Sequence, residues 1–350
     1  MATRVASFYA RLQQWLGMGP SGMEDATSTA TTFVGGQIPS KYRLPESIEE
    51  RYQLIRTLGK GAFGIVFLAR DQAIGRLIAI KLLYRHYHRA EDIYKRFMQE
   101  ARIAGQLEHA NIVTIYDVAD DKRSACIIME YLGGGSLGRR LELEGPMDQE
   151  SALVYLRGIM SGLSAAHEKG VVHRDIKPRN ILFDQTGRTK ISDFGIAHLP
   201  IEHGGLDVDG DLTTLGTPSY MAPEQMVPGR RIDARADLYA CGLLLYEMLT
   251  AKQRFDFETG VTLHDMHDIV TQQAVPKRED LPPQLSDAVL ELLQRLTQPS
   301  AHDRFATASE VITAIDRALR RLRGQVIGTG KVISGAAESA QSCLEMYADI

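Results

Sequence analysis

Apolar and polar positions follow two regimes along the chain. From about Tyr52, short runs rich in β-branched and aromatic residues, "YQLIRTLG", "GIVFLAR" and "LIAIKLL", alternate with polar turns such as "DQAIGR". This rhythm predicts several antiparallel strands. One helical stretch interrupts them: "AEDIYKRFMQEARIAGQL" sets Ile93, Phe97, Ala101 and Ala104 on one side, and "IVTIYDVAD" and "SACIIMEYL" then resume as strands. After Gly133 the period lengthens. "QESALVYLRGIMSGLSAAHEKG", "ADLYACGLLLYEMLT", "LSDAVLELLQRLT" and "TASEVITAIDRALRRL" read as helices, the first closing on Gly170 as its cap. The expected architecture is α+β and bilobal: a small antiparallel β-rich lobe with one main helix over residues 51–132, and a larger α-helical lobe over 133–322, with no internal repeat.

Both flanks differ from this body. Within residues 1–20, Val5, Phe8, Tyr9, Leu12, Trp15 and Leu16 recur at helical spacing until Gly17, Gly19 and Pro20 stop the pattern. This amphipathic helix is expected to pack on the protein's own body or on a partner. Membrane contact is the weaker reading, since only Arg4 and Arg11 supply positive charge. Residues 21–50 include "DATSTATTFVGG", poor in large apolar side chains, and read as a Ser/Thr/Gly-rich linker. Residues 323–350 form a weakly patterned tail, in which Leu344 and Met346 could seat a short helix.

Composition narrows the function classes. At 350 residues and 44% hydrophobic content the chain can bury ordinary cores, and a formal net charge of −4 argues against a general nucleic-acid binder. Cys126, Cys241 and Cys343 form no C-x-x-C pair, which excludes a disulfide framework and a cysteine-rich zinc site and suggests a reducing, cytoplasmic compartment. No apolar run approaches the roughly 20 residues that cross a bilayer.

The candidate chemistry begins at "LGKGAFGIVFLAR", Leu58 to Arg70, where Gly59, Gly61 and Gly64 interrupt a strand. Glycine weakens a strand, so this spacing suggests that another group approaches the main chain, a phosphate being one candidate. A G-x-G-x-x-G run also opens dinucleotide-binding folds, but there it separates a strand from a helix. Here "IVFLAR" continues as strand. Lys81 lies inside the apolar run "IAIKLL", where an ammonium is costly unless it meets an anion or snorkels to solvent from an edge strand. "HRDIKPRN" (His173 to Asn180), "ISDFG" with Asp193, and "GTPSYMAPE" (Gly216 to Glu224) follow in that order.

In these motifs, over roughly Tyr52 to Leu322, the chain resembles the eukaryotic-type (Hanks-type) protein kinases, and among them the bacterial serine/threonine kinases. The resemblance implies transfer of the ATP γ-phosphoryl group to Ser or Thr hydroxyls of protein substrates. By it, Lys81 holds the α- and β-phosphates and pairs with Glu100 in "FMQEARIAG". Glu91 competes by charge alone, but the apolar neighbours of Glu100 place that residue inward. Asp175 orients the acceptor hydroxyl and takes its proton, Lys177 offsets charge on the migrating group, and Asn180 and Asp193 hold Mg²⁺, with Mn²⁺ as a substitute. Leu58 and the three glycines cover the nucleotide. In "IIMEYLGGGSL", Glu130 and Leu132 offer main-chain groups to the adenine, Met129 limits the pocket, and Val66 and Ala79 form its roof.

The resemblance also makes Glu224 the ion-pair partner of Arg304 in "HDRF" and Asp237 an anchor of the catalytic loop. Thr217 and Lys177 point to Ser or Thr acceptors. Thr213 and Thr214 are candidate autophosphorylation sites with Arg174 as phosphate partner, and Thr27, Thr29, Thr31 and Thr32 could, once phosphorylated, dock a forkhead-associated module. Homodimerisation through the small lobe is a further expectation drawn from related enzymes. Ala110 in "LEHANIV" stands where the family commonly has Pro, and "LPIEHGGLDVDGDL" is unusually acidic, yet neither touches a catalytic position. Two rival readings stay open: a nucleotide-binding pseudokinase scaffold, against which intact Lys81, Asp175, Asn180 and Asp193 argue, and an adaptor acting through the N-terminal segment.

Overall fold

The computed structural model describes residues 42–194 and 218–328, except 62, 122–123, 258–260 and 274. A one-turn helix α1 (Glu46–Glu49) leads into strands β1 (Tyr52–Lys60), β2 (Gly64–Asp71) and β3 (Leu77–Leu83). Helix α2 (Glu91–Ala104) crosses to β4 (Ile115–Asp120) and β5 (Ala125–Glu130). The five strands form one antiparallel sheet in the order β1-β2-β3-β5-β4.

Because side chains alternate along a strand, this sheet has two different faces. On the outer face Ile65, Phe67, Ile78, Ile80 and Ile128 form a buried cluster that Leu44 and Ile48 cover. Leu44 and Ile48, within the stretch 21–50, are 1% and 7% exposed and cover this core. On the inner face, register pairs Val66 with Lys81, Ala79 with Met129 and Lys81 with Ile127. Phe97 and Ala101 of α2 pack against Ile127 and Leu83 there, with Ile93 partly buried beside them.

The larger lobe comprises α3 (Leu137–Glu144), α4 (Gln149–Glu168), a hairpin of β6 (Ile181–Phe183) and β7 (Thr189–Ile191), then α5 (Arg235–Thr250), α6 (Leu263–Gln273), α7 (Asp287–Leu296) and α8 (Ala308–Gly328). Asp148 caps α4 by accepting from the N–H groups of Glu150 and Ser151 at 2.9 Å, and Gly170, at φ 73°, ends it in the left-handed conformation that glycine tolerates. Nearly every residue of α5 from Ala236 to Leu249 is buried, Glu247 excepted, which makes it the axis of this lobe. Helix α8 continues past Leu322 to Gly328.

The lobes are stitched by backbone. Val113 N–H donates to Ile191 O and Ile191 N–H to Asn111 O, both at 2.9 Å, so "NIV" pairs with β7 and not with the five-stranded sheet. The strand expected over "IVTIYDVAD" accordingly starts only at Ile115.

Candidate active site

The glycine turn joins β1 to β2 and is closed by a hydrogen bond from Gly61 N–H to Gly64 O at 2.8 Å. Its glycines serve different ends. A Cβ on Gly64 would lie 2.3 Å from Leu82 O, a backbone atom that cannot swing aside, whereas a Cβ on Gly59 would meet nothing within 4 Å and one on Gly61 only Gly64 O at 3.7 Å. Gly64 is thus demanded by β3, and Gly59 and Gly61 keep the space beside the turn open. Gly64→Ala is expected to destabilise the domain by about 1–3 kcal/mol through overpacking, while Gly59→Ala leaves its melting temperature unchanged. Thermal denaturation of both variants checks this.

Lys81, at the centre of β3, reaches Glu100 Oε1 of α2 at 2.8 Å and Asp193 Oδ1 at 2.7 Å. Glu91, its rival, pairs with Lys95 at the surface at 2.6 Å. Burial alone would pull the Lys81 ammonium down, but Asp193 and Glu100 together outweigh it and hold its pKa above the ordinary value. For Asp193, burial acts upward and the adjacent Lys81 ammonium downward, and the net effect lowers the carboxyl. Two anions around one ammonium leave a cluster that is one charge short on the positive side.

Residues of the segment His173–Asn180 also meet one another. Lys177 Nζ lies 2.8 Å from Asp175 Oδ2, and Asn180 Nδ2 donates to Asp175 O at 2.9 Å and Oδ2 at 3.1 Å. With its amide nitrogen so engaged, Asn180 keeps its carbonyl oxygen for another partner. Ser192 N–H donates to Asn180 O at 2.9 Å, which brings Asn180 beside Asp193. Buried His173 accepts from Asp175 N–H at Nδ1 (3.2 Å), so its Nε2–H is the donor to Ser192 O at 3.0 Å. That imidazole ties the loop at 173–180 to the segment after β7 that carries Asp193.

Asp237, 1% exposed on α5, accepts from the N–H groups of His173 (2.8 Å) and Arg174 (2.7 Å), with His167 Nε2 2.8 Å from the same carboxylate. Arg174 and Asp193 have φ of 66° and 54°, and Ala251 is the only other non-glycine residue with positive φ among the described residues. Such conformations cost energy and persist only where surroundings enforce them. Here the enforcing groups are Asp237 and Lys81.

On the far side of the cleft Met129 and Ala79 face each other across β5 and β3, and a space lined by Lys81, Glu100, Ile115, Met129 and Phe194 runs behind Met129. Val66 is half-buried on the same face, and Leu132 follows β5 in the connection between lobes. The Glu130 carboxylate is held by Lys190 Nζ at 2.7 Å and Thr114 N–H at 2.6 Å. Sequence reading missed Lys190, whose only signal was a lysine two residues before Ser192 in "TKISDFG". Thr213, Thr214 and Thr217 lie outside the described residues, as do the N-terminal helix, the linker threonines and the tail from residue 329.

A hard divalent cation suits this donor set. Asp193 offers a carboxylate and Asn180 a carbonyl oxygen, too few for an all-protein cage but fitting Mg²⁺, which keeps water and phosphate ligands. Among the described residues no cluster of three His, Cys, Asp or Glu side chains could hold a metal by itself.

The family model of the protein kinase domain matches residues 52–314. The chain belongs to the protein kinase family. The chain is 34% identical over 264 residues to serine/threonine-protein kinase PrkC of Bacillus subtilis, covering 75% of the chain and 40% of PrkC. It is 34% identical over 274 residues to serine/threonine-protein kinase PknB of Mycobacterium tuberculosis, covering 76% of the chain and 42% of PknB. To serine/threonine-protein kinase pkn2 of Myxococcus xanthus it is 35% identical over 294 residues, 82% of the chain and 35% of that relative. The chain thus spans under half the length of these relatives. No described helix is long and apolar enough to cross a membrane.

Proposed function

We propose that this chain is a serine/threonine protein kinase that transfers the γ-phosphoryl group of ATP to hydroxyls of protein substrates. The observation that carries the reading is the assembly in one cleft of the Lys81–Glu100 and Lys81–Asp193 pairs with Asp175, Lys177 and Asn180. The names of PrkC, PknB and pkn2 support the Ser/Thr class.

In this reading the turn at Gly59 and Gly61 covers the phosphates, Lys81 holds the α- and β-phosphates, and Glu130 and Leu132 present backbone groups to the adenine between Val66, Ala79 and Met129. Asn180 and Asp193 would hold the divalent ion, which when bound supplies charge neutralisation at the phosphate oxygens. Asp175 aligns the acceptor hydroxyl and takes up its proton, and Lys177 stabilises charge on the transferred group. Thr213 and Thr214 are the autophosphorylation sites of this reading, and a forkhead-associated partner and a homodimer remain part of it together with a cytoplasmic location.

Incubation of the full chain with γ-labelled ATP, Mg²⁺ and a generic basic protein should label the acceptor on Ser and Thr. Chelation by EDTA should stop the labelling and added Mg²⁺ or Mn²⁺ restore it. Label that persists through chelation, or that appears on no protein, would contradict the assignment.

A further inference from the structure

A second concavity lies far along the chain from the cleft, between α7 and α8. It is a groove of about 430 Å³ with Leu292, Phe305 and Ala318 on its floor and Arg295, Arg317 and Arg321 along its rim. The opposite side of α8 is fully engaged with α4: Arg157 pairs with Asp316 at 2.7 Å, Glu150 with Arg323 at 2.8 Å, and Ser164 Oγ meets Ser309 Oγ at 2.9 Å. The groove side differs. Arg295 stacks on Phe305 at 4.1 Å, and among the described residues neither it, Arg317 nor Arg321 has a carboxylate within ion-pair distance. Of the two acids on the rim, Glu310 is committed to Ala306 N–H at 3.1 Å, and Glu291 pairs with none of the three.

We propose that this groove is the docking site of the chain's own C-terminal segment, residues 338–350. Charge selects that occupant from the two terminal segments. Residues 1–20 carry Arg4 and Arg11 and no acid, so a rim of three arginines repels them. Residues 338–350 carry Glu338, Glu345 and Asp349 and no base, with Leu344, Met346, Tyr347 and Ile350 among the acids for an apolar floor. Reach is sufficient. Arg321 and Arg317 lie about 10 and 16 Å back along α8 from Gly328, and the nine residues before Glu338 span up to ~30 Å. The match resembles peptide recognition by a groove with apolar floor and charged rim, in which burial contributes affinity and the ion pairs fix register.

Hydrogen–deuterium exchange of the full chain, read by mass spectrometry, tests this. The peptide covering residues 338–350 should exchange about tenfold more slowly in the wild type than in an Arg317→Glu/Arg321→Glu chain. Adding Glu345→Arg/Asp349→Arg to that chain should restore the protection. A Leu344→Asp/Tyr347→Asp chain, altered only in the tail, should lose it while α7 and α8 keep theirs, which separates docking from any folding defect of the arginine variant. Equal exchange of the tail in the wild type, the Arg317→Glu/Arg321→Glu chain and the Leu344→Asp/Tyr347→Asp chain would overturn the proposal. So would protection that vanishes on dilution, which assigns the groove to a second copy.

Discussion

Asp175→Asn should reduce phosphoryl transfer to a protein acceptor by about 10²–10⁴-fold, the usual contribution of a positioned general base, while leaving nucleotide affinity within a few-fold of wild type. The substitution is isosteric, so the side-chain oxygen can still accept from Asn180 Nδ2, which sits 3.1 Å from Asp175 Oδ2. What disappears is the negative charge that balances Lys177, 2.8 Å away, and that in the proposed reaction draws the acceptor proton. The phosphate-side group Lys81 is untouched, because its partners are Glu100 and Asp193. Labelled-phosphate incorporation measures the first quantity and titration with a fluorescent ATP analogue the second. Unchanged incorporation would remove Asp175 from the chemistry, and a parallel loss of nucleotide binding would show that the loop had collapsed. The same pair of measurements separates a kinase from a scaffold that only binds nucleotide.

Long elements with repeated apolar positions were legible in the sequence, and so was the pairing of Lys81 with Glu100. Lys81 stood out as a charge inside an apolar run, and the apolar neighbours of Glu100 were enough to prefer it over Glu91, which the structure leaves in a surface pair with Lys95. Short helices escaped for a shared reason. Helix α1 has one buried apolar residue, Ile48, and α3 one buried pair four apart, Leu137 and Leu141. One such pair among polar residues has no period to detect. The pairing of Asn111–Val113 with β7 was hidden too, since a one-residue bridge between distant segments leaves no local pattern. Gly64 shows a different limit. Its position in the glycine loop suggested close approach of a phosphate, yet the group that crowds it is Leu82 O.

Removal of the Arg304 guanidinium should be the most damaging single change to the larger lobe, and Arg304→Lys should be almost as harmful as Arg304→Met. Arg304 is 3% exposed and all five of its N–H donors are placed: Nη1 and Nη2 fork onto Glu224 at 2.7 and 2.9 Å, Nη1 also reaches Arg235 O at 3.0 Å, Nη2 Pro299 O at 2.8 Å, and Nε Gln298 O at 2.7 Å. The same guanidinium lies 4.7 Å from the centre of the buried Tyr239 ring. Lysine has the charge but neither the planar fork nor enough donors to serve carbonyls from three directions. Glu224 would then remain buried with its partner gone or misaligned, a loss of about 3–5 kcal/mol for a broken buried pair. For a domain of this size that corresponds to a fall in melting temperature on the order of 10 °C. Glu224→Gln should cost less, because the buried guanidinium loses its anion but keeps the carbonyls of Arg235, Gln298 and Pro299 as acceptors, whereas loss of Arg304 leaves the Glu224 carboxylate without its partner. Calorimetry on the three variants and on Glu224→Gln/Arg304→Met decides the matter: the double change should cost less than the sum of its parts, since the second substitution has no intact pair left to break. Strict additivity would mean that Arg304 acts through the three carbonyls alone and that Glu224 contributes nothing to holding residues 218–226 against the lobe.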